Sequence, residues 1–307
     1  MNRILVTGAT GFVGRCALPA LAERGYEIHA MMRHTVGDFP ADVTCYAVDM
    51  LDIPAATKLI GEVRPTHLLL SGWTTQPGAF WTDPQNESWA AATQTMVRAF
   101  FAAGGRRAVL AGSCAEYDWS DPVLASGPVR EDAAQGLPQT PYGRAKRRAA
   151  EALAKAAADA GGEHTIGRIF FPMGPGEHRN RFLPDIVTAL IAGHPAKLGP
   201  GQQVRDIIDV RDAGAALAAL VDSNVEGAVN VGSGVGVRLA DVALRVGEMV
   251  GRPDLVHLGS LPARTGEPPV LVADVSRLHG ATGFQPRFKI EDTLAAALSY
   301  WRAVEHT

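Results

Sequence analysis

Cysteine is scarce in this chain: Cys16, Cys45 and Cys114 are the only three, and none forms a spaced pair. That argues against a disulfide framework or a cysteine zinc site and fits a reducing, cytoplasmic compartment. Long apolar runs are missing as well. No stretch approaches the roughly 20 residues that a membrane-spanning helix needs. The first residues pass at once into a polar-punctuated strand, so no signal peptide is expected. Excess positive charge is also lacking. The formal net charge is −3, which gives no reason to expect nucleic acid or an anionic membrane as a partner. The nine histidines are scattered without metal-ligand spacing, so no metal site is expected. Tyrosine and lysine are rare, five of each, and chance pairings between them are therefore few.

What is present is an ordinary globular composition, 47% hydrophobic and 20% charged, in 307 residues. That length suits one large domain or two modest ones with a sizeable core. Short apolar runs alternate with helical patterns from "RILVTG" through "GRCALPALAERG", "EIHAMM", "TCYAVDM", "IPAATKLIGEV", "HLLLSG", "SWAAATQTMVRAFFAAGG", "RAVLAGS" and "YGRAKRRAAEALAKAAADAGG" to "HTIGRIFF". Such alternation predicts an α/β fold: a Rossmann-type, doubly wound parallel sheet covered on both faces. A dinucleotide-binding domain is expected over 1–170. Residues 171–307 are expected to form a smaller, mostly helical substrate domain, with "GAVNVG" near 227–232 returning to the sheet. "VRDIIDVRDAGAALAALVDS" reads as one of its helices. Two long loops, "WTTQPGAFWTDPQNES" and "YDWSDPVLASGPVREDAAQGLPQTP", follow strand ends on the carboxyl edge, where open α/β sheets bind ligands.

Gly8, Gly11 and Gly14 form a glycine turn between the first strand and the first helix, in "TGATGFVG". Glycines there let backbone N–H groups and a helix N-terminus meet a pyrophosphate. The spacing alone is weak, arising by chance about 0.4 times in a chain this glycine-rich; its strand–turn–helix placement gives it force. Thr10, Phe12 and Val13 complete the turn. The plain alternative is an ordinary strand-to-helix connection.

Tyr142 and Lys146 in "TPYGRAKRRAA" are more specific, since such a pair arises by chance roughly 0.08 times here. Thr140 can cap this helix and Pro141 can open it. Tyr142 and Lys146 then share one face a turn apart. A nearby ammonium would lower the tyrosine pKa toward the working range and make Tyr142 a general acid/base. Ser113 ends the strand "RAVLAGS" on the same edge, where a hydroxyl can hydrogen-bond a carbonyl oxygen as charge develops.

Together these segments, with "VDMLD", "SCAEY", "RIFFPMGPGE", "VRDIIDVRD", "NVGSG" and "RTGEP", resemble the extended short-chain dehydrogenase/reductase family, in its nucleotide-sugar epimerase, dehydratase and ketoreductase branch. The resemblance implies a Ser113–Tyr142–Lys146 triad, with Asp49 and Met50 near the adenine and Lys146 on the nicotinamide ribose. It implies that Arg205 and Arg264 reach the diphosphate of a nucleotide sugar. "LSGWTT" resembles the tryptophan-containing form of this segment in ketoreductases and places Trp73 with the substrate. It also implies a homodimer built on two helices, "SWAAATQTMVRAFFAAGG" and the alanine-rich helix after Tyr142.

Departures from the family pattern choose among reactions. Sugar-nucleotide dehydratases carry an Asp–Glu pair where this chain has Cys114 and Ala115; Glu116 is one residue late and could still reach in. Many epimerases have asparagine where this chain has Phe171. The second strand ends in Met31, Met32, Arg33 and His34, with no acid for the adenosine ribose. An arginine there can pair with the 2′-phosphate of NADP; the plain alternative is a solvated loop residue. The expectation is an NADPH-dependent ketoreductase acting on a nucleotide-linked 4-keto-6-deoxysugar. The alternative enzyme is a 4-epimerase that retains NAD. Less favoured are a reductase of a non-nucleotide carbonyl and a non-catalytic dinucleotide sensor.

Overall fold

The computed structural model describes residues 2–34, 42–263 and 266–305. In chain order, the first part comprises β1 (Arg3–Thr7), α1 (Gly14–Glu23), β2 (Glu27–Met32), β3 (Val43–Ala47), α2 (Ile53–Val63), β4 (His67–Leu70), α3 (Gln85–Ala102), β5 (Arg107–Ser113), α4 (Pro141–Ala160) and β6 (Glu163–Ile169). Then follow β7 (Phe171–Met173), α5 (Phe182–Ile191), β8 (Ala196–Lys197), β9 (Val204–Asp209), α6 (Val210–Val221), β10 (Gly227–Val231), β11 (Gly236–Arg238), α7 (Leu239–Val250), β12 (Val256–His257), β13 (Val270–Leu271), α8 (Ser276–Thr282) and α9 (Ile290–Glu305).

The seven-stranded sheet has the order β10-β6-β5-β4-β1-β2-β3, and every pairing in it is parallel. It is a Rossmann-type α/β fold. A pleated strand sends successive side chains to opposite faces, and the core divides accordingly. Ile4, Val6, Ile28, Ala30 and Val109 pack with α1 and α6 on one face. Leu5, Met31, Leu68 and Leu70 pack with α2, α3 and α4 on the other. Continuous apolar strands are what two covered faces require.

Two readings of the sequence are corrected. "HTIGRIFF" does not run as one strand: it breaks at Phe170, and Phe171–Met173 leaves to pair with β9 in a second sheet. "VRDIIDVRDAGAALAALVDS" is not one helix. Its first six residues are β9, the hub of that second sheet, which joins β7, β11 and β13. Helix α6 begins only at Val210, where Asp209 caps it by accepting the Arg211 N–H at 2.8 Å. The reason is tertiary: buried Asp206 in β9 accepts N–H bonds from Ser233, Gly234 and Ala273. Those partners exist only once the chain has folded back.

A third apolar cluster, with Leu183, Ile186, Val187, Val242, Val246, Leu294 and Trp301, joins α5, α7 and α9 behind this sheet. No helix is long and apolar enough to cross a membrane among the described residues.

Candidate active site

The chain order in the sheet reverses between β1 and β4, and a cleft opens at their carboxyl ends, as expected of a topological switch point. Gly8, just past β1, has φ +63, and a Cβ on it would lie 2.6 Å from the Cα of Gly72, just past β4. Only glycine allows the two strand ends to come so close. A methyl on Gly14 would collide with the Gly8 carbonyl oxygen and the Ser71 hydroxyl. Helix α1 starts beyond this turn with no side-chain cap and no acid in its first turn. The Arg15 and Cys16 N–H groups bond the Gly11 and Val13 carbonyls, and the positive dipole end, with no acid to neutralise it, faces a prospective anion.

Thr10, Gly11, Met32, Arg33 and Met50 line this cleft. Arg33 is exposed and has no ion-pair partner among the described residues, and His34 is exposed beside it. Asp49 turns its carboxylate to the Leu51 N–H at 2.9 Å, so Met50 rather than Asp49 faces the cleft. Phe12 packs beneath the Arg15 guanidinium, and Val13 against the core. The residues fit a dinucleotide: a crowded glycine turn, a helix start and, among the described residues, an unpaired cation on one cleft.

Ser113, Tyr142 and Lys146 come together at the same edge. Ser113 is the last residue of β5, and its hydroxyl accepts the Ala115 N–H at 3.1 Å. Thr140 caps α4 by accepting the Gly143 N–H at 3.0 Å, which sets Tyr142 and Lys146 in the first two turns. Lys146 Nζ donates to the Ala111 carbonyl at 2.9 Å and lies 5.9 Å from the Tyr142 ring centroid. Both side chains are buried.

The protonation states depart from the expectation. Burial pushes the Tyr142 phenol above its ordinary value; hydrogen bonding from Ser113 and the charge of Arg181 oppose the shift without reversing it. Burial also pushes Lys146 down to about 7, against the pull of Glu116. The lowering expected from Lys146 does not offset burial. Burial thus favours the protonated phenol.

Glu116 is committed elsewhere. Its carboxylate is fully buried, accepts the Ser113 N–H at 2.7 Å and pairs with Arg168 at 3.2 Å. It holds the turn after β5 and is not an acid aimed at the site.

Arg205 is buried, with its guanidinium on Glu267 and the Pro268 carbonyl, both at 2.9 Å, and 5.4 Å from the Phe171 ring. Arg264 lies outside the described residues. Trp73 lines the same cleft, edge-on to Tyr142 at 6.3 Å; its indole N–H donates to Asn86 at 2.9 Å.

Sequence reasoning missed the aromatic roof over Tyr142. Phe80 and Trp81 meet its ring edge-on at 4.9 and 5.6 Å, and Trp119 packs on Trp81. These three come from the two long loops, whose tryptophans were the available signal. It also missed Arg181 and Glu177. Arg181 stacks 4.8 Å from Phe80 and donates to the Thr75 carbonyl. Burial raises Glu177 to about 8. Glu177 is the last residue of "RIFFPMGPGE", and Arg181 follows at the N-cap of α5.

A glycine turn, an uncapped helix start and a Ser–Tyr–Lys group on one parallel sheet agree with the sequence comparison. Residues 4–232 match the NAD dependent epimerase/dehydratase family. The chain belongs to that family. UDP-glucose 4-epimerase of Corynebacterium glutamicum is 26% identical over 92% of this chain and 91% of its own. GDP-6-deoxy-D-mannose reductase of Pseudomonas aeruginosa is also 26% identical, over 98% of each chain. The solved structure of MoeE5 in complex with UDP-glucuronic acid and NAD is 27% identical, with a TM-score of 0.82 over 99% of this chain and 100% of that one. Family relatives thus include both epimerases and reductases of nucleotide sugars, and this solved relative holds NAD.

Proposed function

We propose that this family member is an NADPH-dependent ketoreductase of a nucleotide-linked 4-keto-6-deoxysugar. The observation that carries the reading is Arg33, a cation without an ion-pair partner among the described residues, lining the dinucleotide cleft where an acid would serve NAD. The glycine turn and the α1 N-terminus would hold the pyrophosphate, and Arg33, with His34 beside it, the 2′-phosphate. When bound, NADPH supplies hydride to the carbonyl carbon. Ser113 donates a hydrogen bond to the carbonyl oxygen and orients it. Tyr142 gives its proton to the oxygen as negative charge develops. Its raised pKa keeps that proton in place until it is needed. Lys146 faces the same edge and would hold the nicotinamide ribose. Residues from about 171 onward would carry the sugar nucleotide, with Arg264 toward its diphosphate; Arg205, expected there, is held instead by Glu267 and the Pro268 carbonyl.

A second reading is an epimerase that retains NAD. It is favoured by the UDP-glucose 4-epimerases among the relatives and by the NAD in MoeE5. One experiment separates the two. Protein is mixed with NADPH and 4-keto-6-deoxysugars carried on CDP, GDP, dTDP or UDP, while NADPH fluorescence and nucleotide-sugar chromatography are followed together. A reductase consumes one NADPH per sugar reduced. Arg33→Ala should weaken NADPH binding roughly 10- to 100-fold and leave NADH binding nearly unchanged. Purified protein that carries NAD and interconverts ordinary 4-hydroxy sugar nucleotides, with no NADPH consumed, refutes the reductase.

A further inference from the structure

Trp73 stands closer to Lys146 than any other ring does. The Lys146 Nζ lies 4.0 Å from the Trp73 ring centroid. The indole is fixed in that position from behind. Its N–H donates to Asn86 Oδ1 at 2.9 Å, and buried Asn86 in turn donates to the Phe80 carbonyl at 2.7 Å. Trp89 stacks on it at 6.2 Å. The Tyr142 ring meets it edge-on at 6.3 Å. Beyond this ring, Lys146 has one hydrogen bond among the described residues, to the Ala111 carbonyl. The charged or titratable groups that face it are Glu116, behind the turn after β5, and Tyr142 on its own helix. Glu116 is already spent on Arg168.

We propose that Trp73 is a positioning residue whose indole face, locked by Asn86, holds the Lys146 side chain in place as a cation. The negative face of an indole attracts an ammonium, most strongly where water is excluded. Lys146 needs such help, because burial has brought its ammonium down to about 7 and Glu116 alone does not restore it. A charged Lys146 offers three N–H donors: one is used on Ala111, and the others remain for a ribose hydroxyl and for polarising Tyr142. A neutral Lys146 would lose both donor capacity and charge. The inference rests on the proposed Tyr142–Lys146 chemistry only for its functional meaning; the contact itself does not depend on which reaction the protein catalyses.

The test reads Lys146 directly. The chain has five lysines, so protein grown with ε-¹³C lysine gives few signals, and Lys146→Met identifies the one at the site. Its chemical shift is followed against pH in wild type, Trp73→Leu and Trp73→Phe. Both variants lose the indole N–H and leave Asn86 Oδ1 equally without that donor, but only Phe keeps an aromatic face. The Leu variant should titrate lower than wild type by about one pH unit or more, with Phe in between. Equal midpoints for Leu and Phe, or a Leu midpoint equal to wild type, overturn the proposal. If the Leu variant does not fold, the wild-type chain grown with 5-fluorotryptophan decides. A ring made poorer in electrons should lower the Lys146 midpoint, and an unchanged midpoint refutes the role. Because no turnover is measured, the result stands apart from the reductase and epimerase readings.

Discussion

In the proposed reaction Tyr142 has to hold a proton in one state and surrender it in the next. Burial under Phe80, Trp81 and Trp119 raises its pKa, while Ser113 and Arg181 temper the rise. Tyr142→Phe keeps the edge-on ring packing and removes the proton. Turnover on the 4-keto-6-deoxysugar that draws down NADPH should fall by about 10²–10⁴-fold. Cofactor affinity, read by NADPH fluorescence titration, should hold. A Phe variant with near-normal turnover means that another group supplies the proton. The Tyr142/Lys146 spacing was legible because helix geometry converts a four-residue interval into a shared face. The sign of the Tyr142 shift was not, because it depends on how much water the two distant loops exclude. Nor was the place of Trp73. A sequence marks the tryptophan, but only Asn86, thirteen residues on, turns its indole toward Lys146.

Helix α4 carries two of the three proposed catalytic side chains within its first two turns, so its N-terminus is where local stability bears on chemistry. Thr140 accepts the Gly143 N–H there, with Pro141 at the first helical position. Thr140→Ala should cost about 1 kcal/mol, seen as a melting temperature lower by about 1–3 °C. Thr140→Ser, which keeps the acceptor, should restore it. An Ala variant that melts with wild type refutes the cap. This element was legible because a cap, a proline and a helical run lie next to one another in the chain. Strand β9 was not. "VRDIID" carries apolar residues at both helical and strand spacings, and two aspartates that a strand ordinarily disfavours. Partners from far along the chain decide it. Asp206 is paid back by Ser233, Gly234 and Ala273, and Asp209 by Arg211 and Thr293.

For the molecule as a whole, α3 and α4 pack side by side on one face of the sheet, as a dimer built from two helices of each copy would need. Light scattering at micromolar concentration should give twice the chain mass of 32.4 kDa; a clean monomer refutes it. The sequence by itself determined the parallel sheet, the glycine turn and the Tyr142/Lys146 face. Each is written in neighbouring residues: alternating apolar runs, a strand meeting a helix, a spacing of one turn. It determined too that no acid ends β2, which is a matter of residue identity alone. Only the tertiary structure decided that β9 is a strand, that Glu116 is consumed by Arg168, that Arg205 rests on Glu267, and that Trp73 lies over Lys146. Charges and rings acquire their roles from the partners they meet and the water they lose, and those partners lie far apart along the chain until it folds.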